Sequence, residues 1–389
     1  MAFDAAQFLR HAMPPGCMDA LRPAEMMADV QTPAETGRAM GMAVAVERNP
    51  AAELQDAMEE LSMQFEEKAA KKLGDRKLGE TRSRASAYAD AVREWEKVFP
   101  DMPGRGFLDG VVGNLRRMAR EGGGLPGAGW LLGELAKGSE DPSHLFAMLE
   151  IVEAALGEGE GGLRDLAGEA RDRLLREKGP EVASGVNLAR EVNARASTPE
   201  EMQSLRDLYR GEVVGFTTPH ECYRSLVAAR GIGGLPAAVG FLIAGCGADL
   251  QSPSPSRMPE ELRRIMLDLQ CVQVLSTVFE KLSALAARMA AQFGETCRLG
   301  GEEMTGKVLD FTERPFVASR DIALFVAESE ISTLPAQMDF CRELTGVFRQ
   351  LSPRLFASEE DRARLVGAAQ EHLDALVSAE ESEGPGGVP

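Results

Sequence analysis

From Asn49 onward, apolar residues recur every three or four positions, the spacing that lines one face of an α-helix. Leu54, Met58, Leu61 and Phe65 form the first such stripe, and Asn49-Pro50 ahead of it pairs an N-cap with proline at the first helical position. Thr81 to Phe99 repeats the habit with Tyr88, Val92, Trp95 and Phe99. The most regular run is Glu260 to Phe293, where Ile265, Leu269, Val272, Leu275, Phe279, Leu282, Leu285, Met289 and Phe293 follow at gaps of three or four. That run predicts one long helix, long enough for two bundles to share. Leu365, Val366, Leu373, Leu376 and Val377 mark a last helix.

Start signals punctuate the stripes. Asp141-Pro142 opens one helix, while Thr198-Pro199-Glu200-Glu201 and Thr218-Pro219-His220-Glu221 are capping boxes with proline at N1. Ser358-Glu359-Glu360-Asp361 is a looser version, its acids suited to the positive end of the helix dipole. Linkers are expected at Glu121–Gly129, Gly157–Gly162, Gln251–Pro259 and Arg298–Glu303. The one short strand candidate is Glu212 to Thr217. The predicted fold is therefore all-α: an elongated series of three helical bundles after a flexible N-terminal arm, with the long helix shared by the second and third. The expected divisions are an arm over 1–48, a segment 49–78, bundles over 79–180, 181–290 and 291–384, and a frayed tail over 385–389.

Composition narrows the partners. The 389 residues carry 61 acids against 43 Lys and Arg, a formal charge of −18. Phosphate backbones and anionic membranes both call for a basic surplus, so neither nucleic acid nor a membrane surface is an expected partner. Aromatics at 5% lean against an all-β fold. Asp4, Gln7, Arg10 and His11 interrupt any apolar run of a secretory leader. Leu235 to Ala248, the longest apolar candidate, is too short to span a bilayer and contains three glycines, so no membrane insertion is expected. Cysteines 17, 222, 246, 271, 297 and 341 form no C-x-x-C pair and read as buried, reduced thiols.

The apparent catalytic motifs fail on chemistry. Gly301 to Val308 resembles a P-loop, but Val308 replaces the magnesium-binding hydroxyl, Glu302 and Glu303 would repel phosphate, and no strand precedes it; a turn between helices is expected instead. Gly231-Ile232-Gly233-Gly234-Leu235-Pro236 lacks the last glycine of a dinucleotide fingerprint and follows a helix, so it too reads as a helix-to-helix turn. His220-Glu221 begins like H-E-x-x-H, yet position 224 is Arg, and the four histidines are scattered; His220 is expected on the surface of a first helical turn. No enzyme, cofactor or metal is expected; a nucleotide-dependent switch at Gly301–Val308 is a third reading, which titration with ATP and magnesium would decide.

One arrangement of segments is more specific. Residues 202–216 read MQSLRDLYRGEVVGF, and a Gly-rich stretch then leads to Gly247-Ala248-Asp249-Leu250, a Ser/Pro linker with Ser254 or Ser256 and Pro259, and the long helix. This order resembles the type III secretion gatekeeper family, which includes YopN with TyeA, MxiC, InvE, SepL and CopN. Leu351 to Glu381 looks like the TyeA part, here fused into a single chain, and residues 80–180 fit the family's first domain more loosely.

The resemblance implies a regulator that restrains effectors and lets translocators leave first. Its place would be the bacterial cytoplasm at the base of the apparatus, and the chain would itself be a candidate for secretion. It implies an uncleaved signal within Met1 to about Gln31 and type III secretion chaperones bound by the N-terminal region. Export-gate and translocator–chaperone complexes would meet the C-terminal bundles of a monomer. Leu54, Met58, Leu61 and Phe65 could lie on a chaperone or pack on the chain's own first domain. A helical effector that binds a host protein is the alternative. Residues 301–389 hold 17 acids against 8 bases, so Glu328, Glu330, Glu359, Glu360 and Asp361 are candidates to face a basic partner, against the plainer reading of a solubilising coat.

Overall fold

The computed structural model describes residues 85–121 and 125–383, which are helical with connecting turns and contain no strand. The stripe Leu54, Met58, Leu61 and Phe65, Cys17 and the tail lie outside the described residues. The chain divides into two units, Met1–Glu177 and Lys178–Pro389.

In the first unit, α1 (85–98), α2 (Arg105–Arg120), α3 (Ala128–Ala136) and α4 (Pro142–Ala155) lead to the start of α5 (Gly161–Arg195). Asp141 caps α4 as its position before proline predicts, accepting from the Ser143 N–H at 2.8 Å. α4 is buried on all sides, from Ser143 through Val152 with few exceptions, which marks it as the bundle's central helix. It packs on α2 and α3. Trp95 stacks on Phe99 and meets Phe146 edge-on, each at 5.9 Å between ring centroids. The unit boundary falls where α5 breaks, at Lys178 (φ −134°, ψ 24°), two residues before Pro180 removes a backbone donor.

The second unit runs from the remainder of α5 through α6 (Pro199–Tyr209), α7 (Pro219–Gln251), α8 (Pro259–Arg288), α9 (Gly301–Glu313), α10 (Ser319–Glu328) and α11 (Leu334–Gln350) to α12 (Glu359–Glu383). Both capping boxes form as expected, with Thr198 accepting from Glu201 N–H and Thr218 from Glu221 N–H. The long helix is present: α8 continues through a π-turn, Met289–Phe293, and stops at Gly294, whose φ of +68° is the left-handed cap that glycine allows. α8 packs on α7, α9 and α11, while α12 packs on α9, α10 and α11. One continuous apolar core runs from Leu188 to Ala369. In its C-terminal part Phe311 meets Phe325 and Phe348 at 5.8 and 6.0 Å, and Phe325 meets Phe340 at 5.7 Å.

Several local expectations change. Glu212 to Thr217 is not a strand: Arg210–Val214 extends α6 as a π-turn, because Val213 is drawn fully into the core. Gly301 to Val308 is not a turn but the start of α9, with Glu302 and Glu303 at its positive end and Glu303 accepting from Gly300 N–H at 2.9 Å. Gly301 is small because α9 presses on α8: a Cβ there would stand 2.0 Å from Ser283 Oγ. The expected turn at Gly231 to Pro236 shrinks to a break within α7 at Gly231, φ +68°. By length and composition α7 could cross a membrane, but Leu235, Val239, Leu242 and Cys246 are fully buried in the core.

Candidate interaction surfaces and the polar lock behind them

Asp249, near the end of α7, is fully buried and surrounded by donors. Asn187 Nδ2 on α5 donates to its Oδ1 at 2.7 Å, and the Ser256 N–H donates to the same oxygen at 2.7 Å. Tyr209 OH, at the end of α6, donates to Oδ2 at 2.9 Å, as does Ser256 Oγ. Ser252 Oγ donates to Asn187 Oδ1 at 2.7 Å, which closes the α7–α8 linker onto α5. The Tyr209 ring reaches Asp249 only because residue 245 is glycine; a Cβ there would stand 2.8 Å from Tyr209 Cε2. Burial, with Cys246 and Asp249 beside it, pushes the Tyr209 hydroxyl far above its ordinary pKa, and burial pushes the Cys246 thiol up to about 12. With its carboxylate fully buried and bonded on both oxygens, this cluster holds backbone segments together.

A second set of contacts binds α9–α12 to α7 and α8. Arg224 on α7 forks onto Glu313 and also reaches Asp310 at 3.3 Å. His220 is not a free surface residue: its Nε2 stands 2.8 Å from Thr312 Oγ1, and burial holds its pKa below the usual 6.5. Arg288 pairs with Asp339 at 3.1 Å and Glu343 at 3.3 Å, Arg354 with Asp268 at 2.8 Å, and Lys281 with Gln350.

The acids singled out from sequence fall into two groups, at the end of α10 and the start of α12. Each has a basic neighbour: Glu328 with Lys307 at 2.7 Å, Glu330 with Arg298 at 3.4 Å, Glu359 with Arg362 at 2.7 Å, and Glu360 and Asp361 with Arg364 at 3.6 and 3.4 Å. Asp361 is largely covered; its backbone N–H donates to Ser358 Oγ at 3.1 Å, and that hydroxyl donates in return to the Asp361 carboxylate at 2.6 Å. The formal charge of this region is thus partly compensated within the chain. Among the described residues no three His, Cys, Asp or Glu side chains are grouped to hold a metal. Sequence pattern did not single out Asn187, which belongs to no motif, or Arg224, whose partners lie 86 and 89 residues away.

The network gathers the marks of the resemblance: Tyr209 from "LYR", Asp249 from "GADL" and Ser256 from the Ser/Pro linker. Comparison with known proteins agrees. Residues 53–229 match the model of the HrpJ-like domain, and residues 302–382 match that of TyeA. YopN of Yersinia pestis, named an outer membrane protein, is 24% identical over 249 residues, covering 63% of this chain and 83% of that one. The chain belongs to the type III secretion gatekeeper family. Its HrpJ-like and TyeA parts are fused in one polypeptide. Chlamydia pneumoniae CopN has the same fold, with a TM-score of 0.54 at 17% identity over 73% of this chain and 99% of that one. CopN in a CopN–Scc3 complex gives 0.51 at 18%, covering 72% and 98%, and methylated Shigella flexneri MxiC gives 0.55 at 16%, covering 71% and 95%.

Within this gatekeeper, the HrpJ-like match ends inside α7 and the TyeA match begins one residue into α9. His220 and Arg224, on the last turns of the first match, therefore hold the first helix of the second.

Proposed function

We propose that this type III secretion regulator restrains effector export and orders translocators before effectors. It does so by binding alone, without catalysis, as a monomer in the bacterial cytoplasm at the base of the apparatus, and is itself open to export. The N-terminal region would take chaperones, and the C-terminal helices would take the export gate and translocator–chaperone complexes. The observation that carries this reading is the continuous core from Leu188 to Ala369, which packs the TyeA part onto the C-terminal end of the HrpJ-like part within the second unit. That a relative, CopN, is known in a complex with Scc3 supports a role exercised through protein partners. Deleting the gene and measuring secreted proteins tests it. Effectors should appear early and in excess, with translocators delayed or reduced; unchanged order and amounts would overturn the proposal.

A further inference from the structure

The turn between α6 and α7 holds an aromatic ring in solvent against the preference of its own backbone. Phe216 has φ +62°, a region that bulky side chains rarely occupy. The conformation is imposed from both sides. Ahead of it the π-turn closes with Gly215 N–H donating to the Arg210 carbonyl at 2.6 Å, and Gly215 is required because a Cβ would stand 2.5 Å from the Gly211 carbonyl oxygen. Behind it Thr217 Oγ1 donates to the Glu212 carboxylate at 3.1 Å, and Arg257 Nη2 donates to the Val214 carbonyl at 3.1 Å. Strain that the surroundings over-determine is a hallmark of functional turns, as is a π-turn beside it.

What stands around the ring suggests what it meets. The Arg264 guanidinium lies 4.7 Å from the Phe216 centroid and that of Arg257 lies 5.3 Å away. Arg257 has Glu261 at 3.7 Å, whereas Arg264 has no carboxylate partner among the described residues, in a chain of charge −18. Met258, beside Arg257, and Leu267, one turn beyond Arg264, are both exposed; with Phe216 they are three of the six large apolar side chains left open in the described chain. A guanidinium stacked on a ring keeps its N–H edge free for a carboxylate.

We propose that Phe216, Arg264, Met258 and Leu267 form a docking site for an acidic amphipathic segment of a partner protein. Apolar side chains of that segment cover the ring, Met258 and Leu267, and a carboxylate takes the edge of Arg264 in a paired, charge-assisted bond. Charge complementarity favours this occupant: in a chain of charge −18, an arginine with no carboxylate partner among the described residues stands on an exposed aromatic ring. The site deepens the gatekeeper reading, and rests on it for its setting in the cell though not for its geometry.

The test uses the full-length chain in its own bacterium, with the photo-crosslinker p-benzoylphenylalanine replacing Phe216 and, as a control, replacing exposed Glu371. The expected result is an adduct at 216 well above that at 371, whose crosslinked peptide, sequenced by mass spectrometry, is rich in Asp and Glu. Arg264→Glu should lower the yield about tenfold or more, the loss of one paired charge-assisted bond, and Arg264→Lys should lower it less. Leu267→Asp, at a second exposed position on the same helix, should also lower the yield, with helical content by circular dichroism unchanged. No excess at 216 would overturn the site. So would a neutral or basic crosslinked peptide, a lipid adduct, a second copy of this chain, or a yield insensitive to Arg264→Glu. The two readings fail separately: unchanged secretion on gene deletion sinks the gatekeeper role, while altered secretion without a crosslink at 216 sinks only the docking site.

Discussion

Replacing Asp249 with alanine should loosen the second unit where α5, α6 and α7 meet. The carboxylate, itself fully buried, accepts from Asn187 Nδ2 and Ser256 N–H at 2.7 Å each, from Tyr209 OH at 2.9 Å, and from Ser256 Oγ; only Asn187 among these is half-buried. Each donor left buried and unpaired costs about 1–3 kcal/mol. Rotation of the hydroxyls and partial hydration of the vacated space keep the effects from adding in full. The expected loss is about 3–5 kcal/mol, below the sum over four neutral donors left without their acceptor. Against a typical domain stability of about 5–15 kcal/mol this is large. Trp95 and Trp130 are the only tryptophans and both lie in the first unit, so their fluorescence does not report the site. Native-state hydrogen exchange does: amides of α6 and α7 should exchange about 10²- to 10⁴-fold faster in Asp249→Ala. Tyr209→Phe, which leaves the other donors in place, should cost about 1 kcal/mol. A loss under about 1 kcal/mol for Asp249→Ala, or faster exchange spread evenly through the unit, would refute the reasoning.

Three further outcomes follow from the contacts. Burial depresses the pKa of His220 and of His372 below 6.5, so as pH falls the unfolded chain binds protons first; stability should decline from about pH 7 downward through 6.5, and His220→Gln should flatten part of that slope in urea midpoints read at pH 7.5 and 5.5. Arg224→Ala should cost no more than about 1 kcal/mol by chemical denaturation, because Arg224, Asp310 and Glu313 are all about half exposed; a loss of several kcal/mol would mean the pair is far better shielded than it is. Of the five described cysteines, all free, half-buried Cys297 should react first with a thiol reagent at pH 8, while Cys246 and Cys341, whose thiols burial pushes up to about 12, should react only on unfolding. Mass mapping of the modified peptides checks the order.

The expected elements and the observed ones agree most closely where the signal is local. Thr198 and Thr218 bond to backbone three residues ahead, and Asp141 to backbone two ahead, so the spelling of a helix start carries its own geometry. Agreement fails where a distant neighbour decides. Val213-Val214 reads as strand on β-branched content, but the core pulls Val213 in and the chain stays helical. The Gly-Glu-Glu run at 301 reads as a turn once its P-loop likeness fails, yet α8 presses so close that only glycine fits, inside a helix. His220 reads as exposed until α9, 92 residues on, covers it.

The amino-acid sequence by itself determined the all-α character, the long helix around 260–293, the helix starts and the order of segments that marks the family. It could do so because helical hydrogen bonds, caps and apolar stripes all close within four or so residues. The tertiary structure alone decided that Tyr209, Asp249, Ser256 and Asn187 meet in one buried network across separations of up to 62 residues. It alone showed that the acids of α10 and α12 have basic partners within the chain, and that Phe216 is held open beneath two arginines. Such contacts depend on how helix faces pack against one another, and that packing is written in no short window of the sequence.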